Sequence, residues 1–227
     1  MKYLFLIAFF FITMLKSNAQ LSDKKPMNKY EYAVRFNLLS NMDPSDQNFT
    51  TGFEWNYKKD HAVGIDLSLV YNSTFYLSAP VCSPLGFIVR PFYRYYYSSG
   101  KFGRSFIQPE LFFKQVNYRI EDWMNDPTNS FSQITKFTVR KEVYAANFKV
   151  GRQSELFRNP NLLIEAYVGL GIRINTQYLH DAPANATYPL RGILFRNNSP
   201  NTYYITPNIV AGLSIVYTFN RKAKEHK

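Results

Sequence analysis

Five carboxylates and six cations recur at alternate positions of otherwise apolar segments: Glu31, Glu54, Asp66, Glu110 and Glu165 against Arg35, Arg90, Arg94, Lys114, Lys149 and Arg173. If those positions share one enclosed interior, the charges must pair, because each unpaired buried ion costs several kcal/mol. Two chemistries fit such a set. One is a salt-bridged plug that fixes strand register; the other is a proton or ion path, or a gated pore, threaded through the same groups.

Nucleophilic catalysis finds less to work with. The three histidines are His61, His180 and His226, and only His180 has an acid beside it, Asp181. No serine partner for that pair is identifiable, and a triad needs every role filled in geometry. Cys82 is the single cysteine and falls in an expected loop, so no intrachain disulfide forms and no Cys/His metal spacing exists. Paired-carboxylate and glycine-loop motifs are absent as well. The expectation is a protein with no catalytic residue, no metal and no cofactor.

The elements that carry the charges are strands. Tyr203–Phe219 shows the pattern best: odd positions such as Ile205, Ile209, Leu213 and Ile215 are apolar, while even positions include Thr206, Asn208, Gly212 and Ser214. A period of two held over that length marks a strand with two unlike faces. Seven earlier segments repeat it, at about Lys29–Leu39, Phe49–Tyr57, His61–Tyr71, Phe87–Tyr97, Phe106–Gln115, Val143–Arg152 and Leu162–Arg173. Their connections alternate long and short. Val116–Glu142 and Asn175–Thr202 read as long loops. Pro91, Pro109 and Pro207 fall inside strands and predict bulges or irregular pairing.

Which face meets water decides the class. A soluble secreted sandwich or lipocalin-like barrel turns its apolar face inward, and a membrane barrel turns it outward. The charge-bearing face here is also rich in small residues, among them Ala33, Gly52, Gly64, Ser68, Gly151, Gly169, Gly171 and Gly212. A hydrated outer face has no need to be small, whereas the interior of an eight-stranded barrel has little room. Tyr30, Tyr32, Trp55, Tyr57, Tyr95, Tyr97, Tyr217 and Phe219 gather at strand ends on one rim, as an interfacial girdle requires. The expected fold is all-β: an eight-stranded antiparallel up-and-down transmembrane β-barrel.

Residues 1–19 read as a secretory signal, with Lys2, an apolar core from Leu4 to Leu15, and Ser17-Asn18-Ala19 before the cut. Residues 20–227 then form one barrel domain. From Gln20 onward no apolar run reaches the roughly 18 residues of a membrane helix. The exported chain carries 25 basic and 16 acidic residues, a net charge of +9. That excess falls on the leader, the short turns and the C-terminal tail, a counterpart for anionic phospholipid headgroups. Nucleic acid is not an expected partner of an exported chain. The long connections are near neutral and hold aromatics for contact with an outside ligand: Tyr118, Trp123 and Phe131 in the third, Tyr178 and Tyr188 in the fourth.

Phe87–Tyr96, Ile107–Gln115, Glu165–Arg173 and Pro207–Phe219 carry a likeness to a known group. Together they resemble the small eight-stranded outer-membrane barrels of Gram-negative bacteria, of the OmpA/OmpX transmembrane-domain type, and the uncharacterised outer-membrane β-barrel domain family. The resemblance spans essentially all of the exported chain. It implies an outer-membrane location with both termini periplasmic, contact with outer-membrane lipid and lipopolysaccharide, a monomer, and delivery by the outer-membrane assembly machinery. One departure is the basic tail Asn220–Lys227, which follows the terminal aromatic Phe219. Some small barrels of this kind modify lipid A with Ser, His and acid groups at the outer rim, which keeps His180 in view. The main expectation is a non-enzymatic structural or surface-interaction protein with a plugged lumen, beside a lipid A deacylase or acyltransferase and a narrow pore.

Overall fold

The computed structural model describes residues 30–42, 46–58, 60–73, 81–100, 103–126, 131–157, 159–181, 190–191, 197–198 and 203–219. The expected signal segment 1–19, the tail 220–227 and Tyr188 lie outside the described residues.

Eight antiparallel strands close into a barrel: β1 (Tyr32–Asn37), β2 (Asp46–Lys58), β3 (His61–Ser73), β4 (Val81–Gly100), β5 (Gly103–Asp126), β6 (Phe131–Leu156), β7 (Asn159–His180) and β10 (Tyr203–Phe219). Two short strands, β8 (Leu190–Arg191) and β9 (Asn197–Asn198), pair with each other between β7 and β10, and a 3-10 turn η1 (Leu39–Met42) follows β1. Each barrel strand pairs with its neighbours in sequence, and β1 closes the ring against β10 with Val34 opposite Tyr217 and Asn37 opposite Ser214. The three tight turns β2–β3, β4–β5 and β6–β7 lie at one end with the start of β1 and the end of β10, which we term the turn end. The opposite, loop end carries the remaining connections.

The apolar face points out. Phe53, Leu69, Leu111, Phe148, Leu170, Ile172 and Ile209 are all exposed, at 45–77% of their surface, while the charged face is buried inside. At the turn end the exposed rings of Tyr32, Trp55, Tyr57, Tyr95, Tyr97, Tyr217 and Phe219 form the expected girdle. Trp55 and Tyr57 lie 6.0 Å apart, and Tyr217 and Phe219 5.1 Å apart. His61 joins them, 5.1 Å from Tyr95 and hydrogen-bonded to the Tyr93 hydroxyl. Tyr30 does not: it is 4% exposed and points inward. A bend at Glu31 breaks the two-residue period just before β1 begins, so Tyr30 leaves the face it shares by parity with Tyr32.

Small interior residues make room for large ones. A Cβ on Gly64 would meet the Phe92 ring, one on Gly151 the Phe106 ring, and one on Gly212 the Tyr167 ring. Each glycine thus lies under an aromatic ring from another strand.

The largest correction concerns Val116–Glu142. It is no loop: β5 runs 24 residues and β6 26, in one continuous ladder from Arg104↔Gln153 to Asp126↔Phe131. Tyr118, Trp123 and Phe131 are therefore strand residues, as is Tyr178 on β7. The alternation was hidden because its phase inverts. Below Gln115 the outward positions of β5 are apolar. Above it the inward positions Val116, Tyr118 and Ile120 are apolar and at most 2% exposed, while Asn117, Arg119 and Glu121 face out. β6 inverts likewise, with Phe137, Val139 and Val143 buried and Tyr144, Phe148 and Val150 exposed. The inward stripe packs with Val70 and Ile88 into one apolar cluster.

Cys82 is also a strand residue, paired with Ile120 on β5. The three prolines produce no register shift. Pro207 sits in an unbroken β7–β10 ladder, and Pro109 pairs with Phe148 in another. Only the β4–β5 ladder thins where Pro91 and Pro109 approach, with Phe92↔Glu110 the one bridge between Val89 and Tyr95.

Candidate functional site

The interior charges assemble into three tiers, and the tightest lies toward the turn end. Arg94, on β4, crosses the lumen to Glu54 on β2 at 2.9 Å and to Glu165 on β7 at 2.7 Å. Arg35, on β1, reaches Glu54 at 2.5 Å, Asp66 at 3.5 Å and Glu165 at 3.6 Å. Neutral groups donate to Glu54 and Glu165 as well. Tyr96 donates to Glu54 at 2.6 Å, Tyr30 donates to Glu54 at 3.0 Å, and the Gln153 amide donates to Glu165 at 2.8 Å. The Arg94 guanidinium also donates Nε to the Gln108 oxygen at 2.9 Å.

Rings seal this tier. Arg94 lies 3.8 Å from the Phe106 centroid, Arg35 4.3 Å from Phe92, and Arg104 3.7 Å from Tyr96 and 4.4 Å from Tyr30. Cations stacked on ring faces gain from the ring quadrupole, more so away from water. Arg94, Glu54 and Glu165 are fully buried. Arg35 and Arg94 pair with the three carboxylates Glu54, Asp66 and Glu165, and a third guanidinium, Arg104, donates to the Gln153 oxygen at 3.1 Å, so the tier is balanced in charge.

The middle tier is Glu110, which pairs with Lys149 and accepts from the Asn147 amide at 3.2 Å and the Gln108 amide at 3.3 Å. The loop-end tier centres on Asp46. It pairs with Lys114 and with Lys141 at 3.5 Å, and it accepts from the Tyr118 hydroxyl at 2.7 Å and the Ser73 hydroxyl at 2.6 Å. Between these two tiers lies a cavity of about 480 Å³ whose lining includes Arg90, Lys114, Lys149, Arg173 and Asn208.

Ten of the eleven expected interior charges take part in these tiers or line the cavity: Arg35, Glu54, Asp66, Arg90, Arg94, Glu110, Lys114, Lys149, Glu165 and Arg173. Arg90 donates to the Ser68 hydroxyl at 3.2 Å and Arg173 to the Thr206 hydroxyl at 3.0 Å. Glu31 is half-buried just before β1, where its backbone carbonyl accepts from the Asn56 backbone N–H at 2.8 Å.

Asp46, Lys141, Arg104, Gln153 and the phenols of Tyr30 and Tyr96 escaped the sequence reading. Asp46, Arg104, Lys141 and Gln153 lie beyond the ends of the strands that periodicity predicts. Extending each strand's inward parity by a few residues would have found them. Tyr118 is a ligand of Asp46 inside the barrel and is fully buried, so it is no external contact. Tyr178 is half-buried on the outer side of β7, its ring 6.4 Å from His180. His180 ends that strand exposed, and Asp181 follows it with φ 61°, which turns the chain.

Among the described residues no cluster of His, Cys, Asp and Glu could hold a metal ion. Comparison with protein-family models, curated proteins and solved structures finds no match to this chain.

Proposed function

We propose that this chain is an integral outer-membrane barrel of the OmpA/OmpX-like type, exported by residues 1–19, with both termini periplasmic. In this proposal it works as a monomeric, non-enzymatic surface protein, inserted by the outer-membrane assembly machinery and bathed in lipid and lipopolysaccharide. The observation that carries it is the phase inversion on β5 and β6. Apolar side chains face out below Gln115 and in above it. Lipid around the lower barrel and water around the upper hairpin account for both halves of that pattern. A barrel wholly in water has no reason to switch.

The ion-paired turn-end tier favours a closed lumen over a narrow pore, since ions would have to break Arg94 from two carboxylates to pass. The hairpin above the inversion is the natural surface for an outside partner, through exposed Arg119 and Lys136. Refolded protein should run at different positions on a gel before and after boiling, stay in outer membranes through a carbonate wash, and leave planar bilayers non-conducting. Full solubility without detergent would remove the membrane assignment. Steady conductance would remove the closed lumen.

A further inference from the structure

Among the described residues, β1 and β10 pair only toward the turn end. β1 stops at Asn37, opposite Ser214, and the last backbone bond to β10 is Leu38 N–H to the Leu213 carbonyl at 2.8 Å. From Tyr203 to Gly212, β10 pairs with β7 alone among the described residues. The Leu213 carbonyl faces this free edge, and the unbroken alternation puts the nitrogen of Pro207 on the same edge. Proline there leaves no unpaired N–H, which is how an open strand edge is made tolerable.

The seam opens into the cavity between the upper two tiers. Its lining joins interior residues such as Lys149 and Tyr167 to Ile209 and Ala211, which lie on the outer face of β10, and to Leu39 of η1. Ile209 is 77% exposed there. A single hollow lined from both sides of the wall is a lateral opening.

Its charge is one-sided. Among the described residues, five cations line it (Arg90, Lys114, Lys141, Lys149 and Arg173) against two carboxylates, Asp46 and Glu110. The turn-end tier is balanced; this one is not. Arg90 makes no ion pair among the described residues and is held by the Ser68 hydroxyl and the Phe112 face. The Asn175 side-chain oxygen, fully buried on the same wall, accepts no hydrogen bond. An excess of partly desolvated cations favours an anion among them. A volume of about 480 Å³ is that of a small-ligand site.

We propose that the seam admits an anionic amphiphile from the surrounding lipid. Its phosphate or carboxylate head lies among Arg90, Lys141 and Arg173, and its acyl chain leaves between β10 and η1 across Leu39, Ile209 and Ala211. The proposal rests on the membrane-embedded reading above.

Native mass spectrometry of the full chain, released from neutral maltoside micelles, tests it with three probes: palmitoyl-lysophosphatidic acid, palmitoyl-lysophosphatidylcholine and inorganic phosphate. One equivalent of the lysophosphatidic acid should be retained at least tenfold better than the choline lipid. R90Q/R173Q should lower that retention about tenfold. Ala211→Trp, which fills the seam, should lower retention of the lipid and leave inorganic phosphate unchanged. Gel mobility before and after boiling shows that each variant is folded, and Ala211→Trp spares the charges if the double variant does not fold.

Equal retention of both lipids, or undiminished retention in R90Q/R173Q, overturns the proposal. So does retention of inorganic phosphate as strong as that of the lipid, which makes the cavity a free-anion site. A stable dimer that excludes the lipid also overturns it, by giving the β10 edge to a second copy. A chain that binds the lysophosphatidic acid selectively but washes off membranes in carbonate keeps the site and loses the membrane reading.

Discussion

Arg94 donates across the lumen to Glu165 through two nitrogens, at 2.7 and 3.0 Å, while its Nη1 also holds Glu54 at 2.9 Å. One guanidinium thereby ties β4 to β7 and β2, strands that are not neighbours in the ring. Ladder hydrogen bonds fix each strand against the next, but only such transverse bonds fix the cross-section.

Removing that guanidinium should be costly. Arg94→Met leaves Glu54 and Glu165 buried with Arg35 as their remaining ion-pair partner, and breaking a buried network in this way costs about 3–5 kcal/mol. Urea titration of the barrel refolded in lipid vesicles measures it. R94M/E165Q should recover part of the loss, because it removes one stranded charge as well.

Position relative to the phase inversion should decide what an arginine does. Leu170 is 66% exposed in the apolar belt, and Leu170→Arg should destabilise by about 2–4 kcal/mol if that belt lies in lipid. Asn117→Arg, on the outer side above the inversion, should stay within about 0.5 kcal/mol. The same titration compares them, and equal costs would refute the boundary.

Gly212 and Tyr167 should be coupled. Gly212→Val pushes a side chain into the Tyr167 ring, and overpacking of this kind costs about 1–3 kcal/mol. Tyr167→Ala in that background should relieve the clash despite losing the bond from the Asn37 amide at 3.0 Å. A double-mutant cycle should therefore be strongly non-additive.

Pro207 should be nearly dispensable for stability. Its nitrogen faces no strand among the described residues, so Pro207→Ala breaks no ladder bond and should shift stability by less than about 1 kcal/mol. Cross-linking at raised protein concentration should instead show more dimer, since the substitution restores a donor to the free edge.

Much of this was legible beforehand. The β10 bounds, the strand order and the inward face of every barrel strand follow from a period of two, which belongs to the backbone and not to context. Arg94, Glu54 and Glu165 were identifiable as interior charges for the same reason. Which carboxylate Arg94 would choose was not, because transverse partners depend on strand stagger, and stagger leaves no local mark. Asp46 and Lys141 were hidden behind the inversion: alternation continues through them, but the face that is apolar changes, and a single rule for both halves sees only noise. Tyr30 was lost to one bend. The seam could not be read at all, since β1 is short only in relation to β10, with which it makes contact across most of the chain's length.

That shortness sets the order in which the barrel is made. Every other strand ladder of the barrel joins strands that follow one another around it, where loop closure is entropically cheap. The β1–β10 ladder alone brings together Tyr32 and Phe219, and its closure cost grows with the length of the intervening chain. It repays that cost with pairs over Tyr32–Asn37, where the β7–β10 ladder runs from Tyr203 to Tyr217. The most expensive contact is therefore also one of the least rewarded. It should form last, when the other seven ladders already hold the ends close together, and the wall should part there first when the barrel unfolds.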